Sequence, residues 1–64
     1  MSKPSWKDAP EWANYLAMNI DEEWYWYEEE PYLDPYFIWH SYGNEQLAGY
    51  HEPYNVVETK EKRP

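Results

Sequence analysis

Cysteine is absent from this 64-residue chain, so neither a disulfide framework nor a thiolate zinc site can lend the stability that small domains often borrow. No apolar run approaches the length of a membrane span, and Met1-Ser2-Lys3-Pro4 is not followed by an apolar signal core. The expectation is therefore a soluble, intracellular protein. Glycine occurs twice and never as Asn-Gly or Asp-Gly, which removes the strongest hairpin signal. The deepest deficit is of cations: from Asp8 to Thr59 there is no Lys or Arg, although twelve of the thirteen acids fall in that window. All basic residues are terminal, namely Lys3, Lys7, Lys60, Lys62 and Arg63, and the formal net charge is −8. Solubility alone can be had with mixed charges at lower electrostatic cost, so the pattern points to a cationic partner.

What is abundant is aromatic. Fourteen residues are Trp, Tyr or Phe, which separates the chain from acidic disordered tails, because those are poor in rings. Burying every ring would only just balance the entropy of ordering a chain this short. A homodimer or a bound partner is thus expected to help. The expected organisation is one small domain over residues 1–57 and a flexible tail over 58–64.

Glu23-Trp24-Tyr25-Trp26-Tyr27-Glu28 is the clearest strand, aromatic on both faces and ended before Pro31. Upstream, Asp8, Pro10 and Glu11 suit a helix start with a capping box, in which Trp12, Tyr15, Leu16 and Asn19 would share a face. The competing reading, preferred here, is a turn at Ala9-Pro10 feeding a strand from Asn14 to Asn19. Asn19 to Glu22 then serves as the reversal into the aromatic strand. Pro31 to Pro35 reads as a loop, Tyr36 to Ser41 as a third strand, Gly43-Asn44 as a turn and Glu45 to Tyr50 as a weaker fourth strand. The fold class is mainly β, or a small α+β if the first segment is helical: a three- to four-stranded antiparallel meander with irregular ends.

Trp6, Ala9-Pro10-Glu11-Trp12-Ala13, Tyr15, Ala17 and Trp24-Tyr25-Trp26-Tyr27-Glu28 resemble small acidic proteins encoded by tailed phages and prophages. Those share a pattern close to W-x-x-A-P-x-W-A-x-Y-x-A-x-D-x-x-G-x-W-x-W/F, which looks like a β-hairpin in a short meander. The likeness covers roughly the first half of the chain, and Asn19-Ile20-Asp21-Glu22-Glu23 departs from it by lacking the glycine. The resemblance implies a phage-like origin, where small acidic proteins often inhibit host enzymes or defence systems. It brings no catalytic residues.

The chain offers little for catalysis. His40 and His51 are the only imidazoles, and His40 beside Ser41 is no triad, because neighbours on a strand point to opposite faces. A carboxylate pair such as Glu28 with Asp34 is expected by chance among so many acids. Asp21-Glu22-Glu23 and Glu28-Glu29-Glu30 with Asp34 are hard oxygen donors, yet neither has the alternation and central glycine of an EF-hand loop. No metal or other cofactor is expected, and no enzyme activity. Direct nucleic-acid binding is excluded by the charge, since stacking platforms need a cationic groove.

Alternate carboxylates on a strand form a regular array of negative points, and such an array can occupy a basic groove as a nucleic-acid phosphate would. The expected function is a non-enzymatic, phage-type inhibitor in the cytoplasm of a bacterial host. It would block a nucleic-acid-handling site on a basic host protein. Asp21, Glu22, Glu23, Glu28, Glu29, Glu30 and Asp34 would stand in for phosphates, with Trp24, Trp26, Tyr32 and Tyr36 as anchors. Replacing Glu28, Glu29 and Glu30 together is expected to matter more than replacing Glu45. The alternatives are a carbohydrate- or peptide-binding module using exposed rings, and a virion or assembly component.

Overall fold

A computed structural model describes residues 3–50 and 55–64; the candidate imidazole His51 lies outside them. The architecture is mainly β and antiparallel. Among the described residues, six short strands, β1 (Tyr15–Met18), β2 (Glu23–Tyr27), β3 (Tyr32–Leu33), β4 (Trp39–His40), β5 (Glu45–Tyr50) and β6 (Glu61–Lys62), form a four-stranded sheet in the order β5-β2-β1-β6 and a separate β3-β4 hairpin. Among the described residues no helix is long and apolar enough to cross a membrane.

The opening segment forms a 3-10 turn at Trp6–Asp8, capped by the Ser5 hydroxyl, which accepts from the Lys7 amide. Pro10 stops it by holding Ala9 extended, and the Ala13 amide closes the next turn on the Pro10 carbonyl at 3.1 Å. Asn14 then donates to the Tyr27 carbonyl at 2.9 Å, so the preferred strand reading holds. β1 and β2 pair with Leu16 opposite Trp26 and Met18 opposite Trp24. Opposed residues share a face, so Leu16, Met18, Trp24 and Trp26 form one apolar layer. Trp6 lies over it, its ring centroid 5.0 Å from that of Trp26.

The β1–β2 reversal is a three-residue loop. Asn19 donates to Glu23 at 2.9 Å and Glu22 back to Asn19 at 3.0 Å, with Glu22 at φ 72°. A type I turn followed by a left-handed residue is a standard hairpin solution that favours glycine at the last position. The Asp21 side chain compensates locally by accepting from the Glu23 amide at 3.2 Å.

The β3–β4 loop repeats that geometry, and it changes the expected third strand. Asp34 donates to Ile38 at 3.0 Å, Phe37 donates to Asp34 at 3.1 Å, and Phe37 sits at φ 64°. One Asp34 carboxylate oxygen also accepts from the amides of Tyr36 and Ile38. These bonds curl residues 34–38 into a turn, so only Trp39–His40 of the expected Tyr36–Ser41 strand is extended. Its partner is Tyr32–Leu33, within the segment read as a loop. The hairpin docks on the sheet through the buried Asn19, whose side-chain oxygen accepts from the Trp39 amide at 2.8 Å, and through the Ile20 amide, which donates to Phe37 at 3.1 Å.

With β3 and β4 set aside, β5 returns to pair with β2, with a register shift at Trp24/Tyr25. The bend before β5 lies close to the end of β2. A Cβ on Gly43 would come within 2.7 Å of Glu29 Cγ, so only glycine fits without displacement. The expectation of a flexible tail over 58–64 is corrected. Thr59 is buried, its hydroxyl accepting from the Met18 amide at 3.0 Å and donating to Val56 at 2.8 Å. β6 extends the sheet beside β1. Arg63 holds it there: its amide donates to Asn14 at 2.7 Å, and its guanidinium donates to the carbonyls of Pro10 at 3.1 Å and Ala13 at 2.6 Å.

Candidate protein-binding surface

The proposed phosphate surrogates fall into three groups. Glu28, Glu29 and Glu30 lie at the end of the sheet where β6 brings in the cations, and with Asn14, Tyr15, Lys62, Arg63 and Pro64 they line an open recess of about 510 Å³. Lys60 donates to Glu30 at 2.8 Å, and this bond and charge hold the Glu30 carboxyl below its ordinary range. Glu28 accepts from the Asn44 amide at 3.2 Å. Lys3 pairs with Glu61, which also accepts from the Trp6 indole. The tripled glutamates are thus partly neutralised by the chain's own basic end.

Asp34 belongs to a second group. His40 Nε2 lies 2.6 Å from its free oxygen. That contact, with the Ile38 and Tyr36 amides, keeps the Asp34 carboxyl protonated only below its ordinary range, although partial desolvation opposes this. The carboxylate is committed to building its turn. Around it stand Tyr32, Tyr36 at 80 % exposure and Tyr42 at 89 %. The Tyr32 ring packs against His40 and Tyr42 at centroid distances of 5.7 and 5.8 Å, and a hydrogen bond with Tyr42 raises the Tyr32 hydroxyl.

The third group is anionic without such compensation. Asp21 and Glu22 are exposed in the β1–β2 loop, and Glu23 starts β2 opposite Tyr50. The two Glu23 carboxylate oxygens accept from Tyr25 at 3.1 Å and from Tyr50 at 3.2 Å. Tyr25 is raised by burial and then by Glu23, Asp21 and Glu45; Tyr50 is raised first by its bond to Glu23. Among the described residues, the charges that shift these two hydroxyls are the carboxylates of Glu23, Asp21 and Glu45. Tyr25 faces Leu47 and Tyr27 faces Glu45 across the β2–β5 ladder. One face therefore carries Glu23, Tyr25, Glu45, Leu47 and Tyr50, with Tyr50 at 65 % exposure.

Comparison of the chain with protein-family models, with curated proteins and with solved structures finds no match. The surface is accordingly read from its own chemistry. Trp24 and Trp26, expected as anchors, are 2 % exposed; they belong to the core and cannot meet a partner in this fold. Tyr32 and Tyr36 are available. Glu45, Leu47 and Tyr50 escaped the sequence reading, because their value depends on β5 lying against β2. The alternation of Glu23, Tyr25, Tyr27 and Glu29 was a signal in the β2 segment, but Glu45-Gln46-Leu47-Ala48-Gly49-Tyr50 carries no matching repeat. Among the described residues no three His, Asp or Glu side chains converge as a metal site.

Proposed function

We propose that this protein is a non-enzymatic inhibitor of phage type whose acidic surface takes the place of nucleic acid on a basic host protein. The observation that carries the reading is the asymmetry of charge. The described C-terminal cations sit beside β1 at the Glu28–Glu30 end, while on the β2–β5 side Asp21 and Glu23 lie at the exposed Tyr50 and Glu45 stands two positions from the exposed Leu47, with no Lys or Arg among these residues. Carboxylates supply steering and register, and a central apolar and tyrosine contact supplies short-range grip. The weight of the expected site moves from Glu28, Glu29 and Glu30 toward Asp21, Glu23 and Glu45.

The test is capture of host proteins on the immobilised chain, after nuclease treatment, at low and high salt and with competing duplex DNA or RNA. The reading requires a nucleic-acid-handling partner whose retention falls steeply with salt and which nucleic acid displaces. Retention indifferent to both would refute it. A second reading, a carbohydrate- or peptide-binding module, is favoured by the exposed Tyr32, Tyr36 and Tyr42 beside His40. Saturable quenching of Trp fluorescence by oligosaccharides would support that one.

A further inference from the structure

The two edges of the four-stranded sheet are built differently. β6 is two residues long, carries Lys62, has Glu61 engaged by Lys3 and Trp6, and is followed within the chain by Pro64. Short length, a lysine and a nearby proline are the usual guards against strand pairing. β5 is six residues long and has neither Lys nor Pro, and Glu45, Gln46, Leu47 and Tyr50 are exposed. Among the described residues no strand pairs with its outer side.

The hydrogen bonds give the direction of its backbone groups. Asn14 and Asn19 donate to Tyr27 and Glu23, so those β2 residues address β1; Glu28 donates to Asn44 at 3.0 Å, so the alternate set addresses β5. In an antiparallel ladder this alternation carries across the pair. Gln46, opposite Trp26, is turned toward β2, and Glu45 and Leu47 direct their N–H and C=O groups outward. The register shift lies beyond Leu47, leaving the Glu45–Leu47 half regular.

The geometry points to β5 as the place where an extended, lysine- or arginine-bearing segment of the partner adds as a fifth strand. This rests on the inhibitor reading and names the element of the partner that is bound. Charge complementarity selects the occupant. A segment laid along β5 sets its alternate side chains beside Glu45 and Leu47, on the face that also holds Glu23. A second copy of this chain would bring another −8 against the same carboxylates. Backbone pairing provides affinity, and the acidic face selects cations at alternate positions.

The experiment uses the full chain, isotope-labelled, and a synthetic peptide alternating lysine and valine as probe, with its glutamate-for-lysine counterpart as control. The lysine peptide is expected to shift and protect the Glu45 and Leu47 amides while leaving β6 unchanged, and the glutamate peptide to do nothing. Leu47→Pro removes one outward donor without touching the β2 ladder and is expected to weaken binding about tenfold. Leu47→Ala, which keeps that donor, is expected to lose less, and its spectrum reports whether the fold survives.

Lysine-peptide binding that leaves the β5 amides unaltered, or equal losses for the two Leu47 variants, would overturn strand addition. So would β5 shifts that follow protein concentration without peptide, which would identify a second copy as occupant. Salt-sensitive, nucleic-acid-displaced capture of a host protein alongside any of these results would mean that only the strand proposal had failed.

Discussion

Glu22 at φ 72° offers a clean perturbation, because the strain and its relief can both be put in numbers. A left-handed conformation costs a residue with a Cβ about 1–2 kcal/mol, and glycine avoids that. Glycine also gives the unfolded chain more freedom, which costs about 0.5–1 kcal/mol. The balance for Glu22→Gly is a gain of about 0–1.5 kcal/mol, centred on ~0.8 kcal/mol, which is a Tm rise of about 3–6 °C for a domain of this size. The side chain is exposed and packs on nothing described, so no cavity term enters. Phe37 shares the conformation, but its ring is only partly exposed and its removal would mix two effects. Thermal unfolding followed by circular dichroism, with Glu22→Ala as control, makes the measurement. Glu22→Ala removes the same charge and keeps the Cβ, so the difference between the variants isolates the backbone. An equal Tm for the two, or a lower one for the glycine variant, would refute the reasoning.

Arg63→Ala should destabilise by ~1.5–3 kcal/mol, since it removes charged donors to the Pro10 and Ala13 carbonyls; Arg63→Lys should recover only part of this in chemical denaturation. Stability should fall above pH 10, because burial raises Tyr27 above the ordinary value of 10.0 and the unfolded chain then releases its proton first. Tyr27→Phe should flatten that limb in a pH series. Asp34 has the opposite sign: its lowered carboxyl contributes above its ordinary value of 3.8 and loses that contribution as pH falls through its folded-state value. Amide signals of Tyr36 and Ile38 should therefore shift on acidification before the sheet melts. Asp21→Asn, Glu23→Gln and Glu45→Gln together should weaken salt-dependent partner capture more than Glu28→Gln, Glu29→Gln and Glu30→Gln together, measured on the captured protein.

The β1–β2 hairpin was legible because strand propensity and alternation are local. The turn at Ala9-Pro10, the Asn19–Glu22 reversal and the Glu45–Tyr50 strand were legible for the same reason. The competing helix starting at Asp8–Glu11 does not form: the 3-10 turn at Trp6–Asp8 ends where Pro10 holds Ala9 extended, and Tyr15–Met18 is strand. Pairing was not legible. Nothing in Glu61-Lys62 announces a strand, and what places it is Arg63 reaching carbonyls some fifty positions earlier. Nor could alternation tell which face of Trp24-Tyr25-Trp26-Tyr27 is covered. Trp6 decides for the tryptophans, and the site lost two expected anchors to the core. The acids divide for the same long-range reason: β6 brings Lys60 to Glu30 and leaves Asp21 and Glu45 alone.

The β3–β4 hairpin is anchored by Trp39, which joins the core, and by the Asn19 and Ile20 hydrogen bonds, whereas the exposed rings of Tyr36 in its turn and Tyr42 just after it support none of the core. Those surface positions are consequently free to drift. Substitutions at Tyr36 and Tyr42 can accumulate one at a time while the tryptophan layer keeps its shape, so the fold does not dictate which side chains stand there.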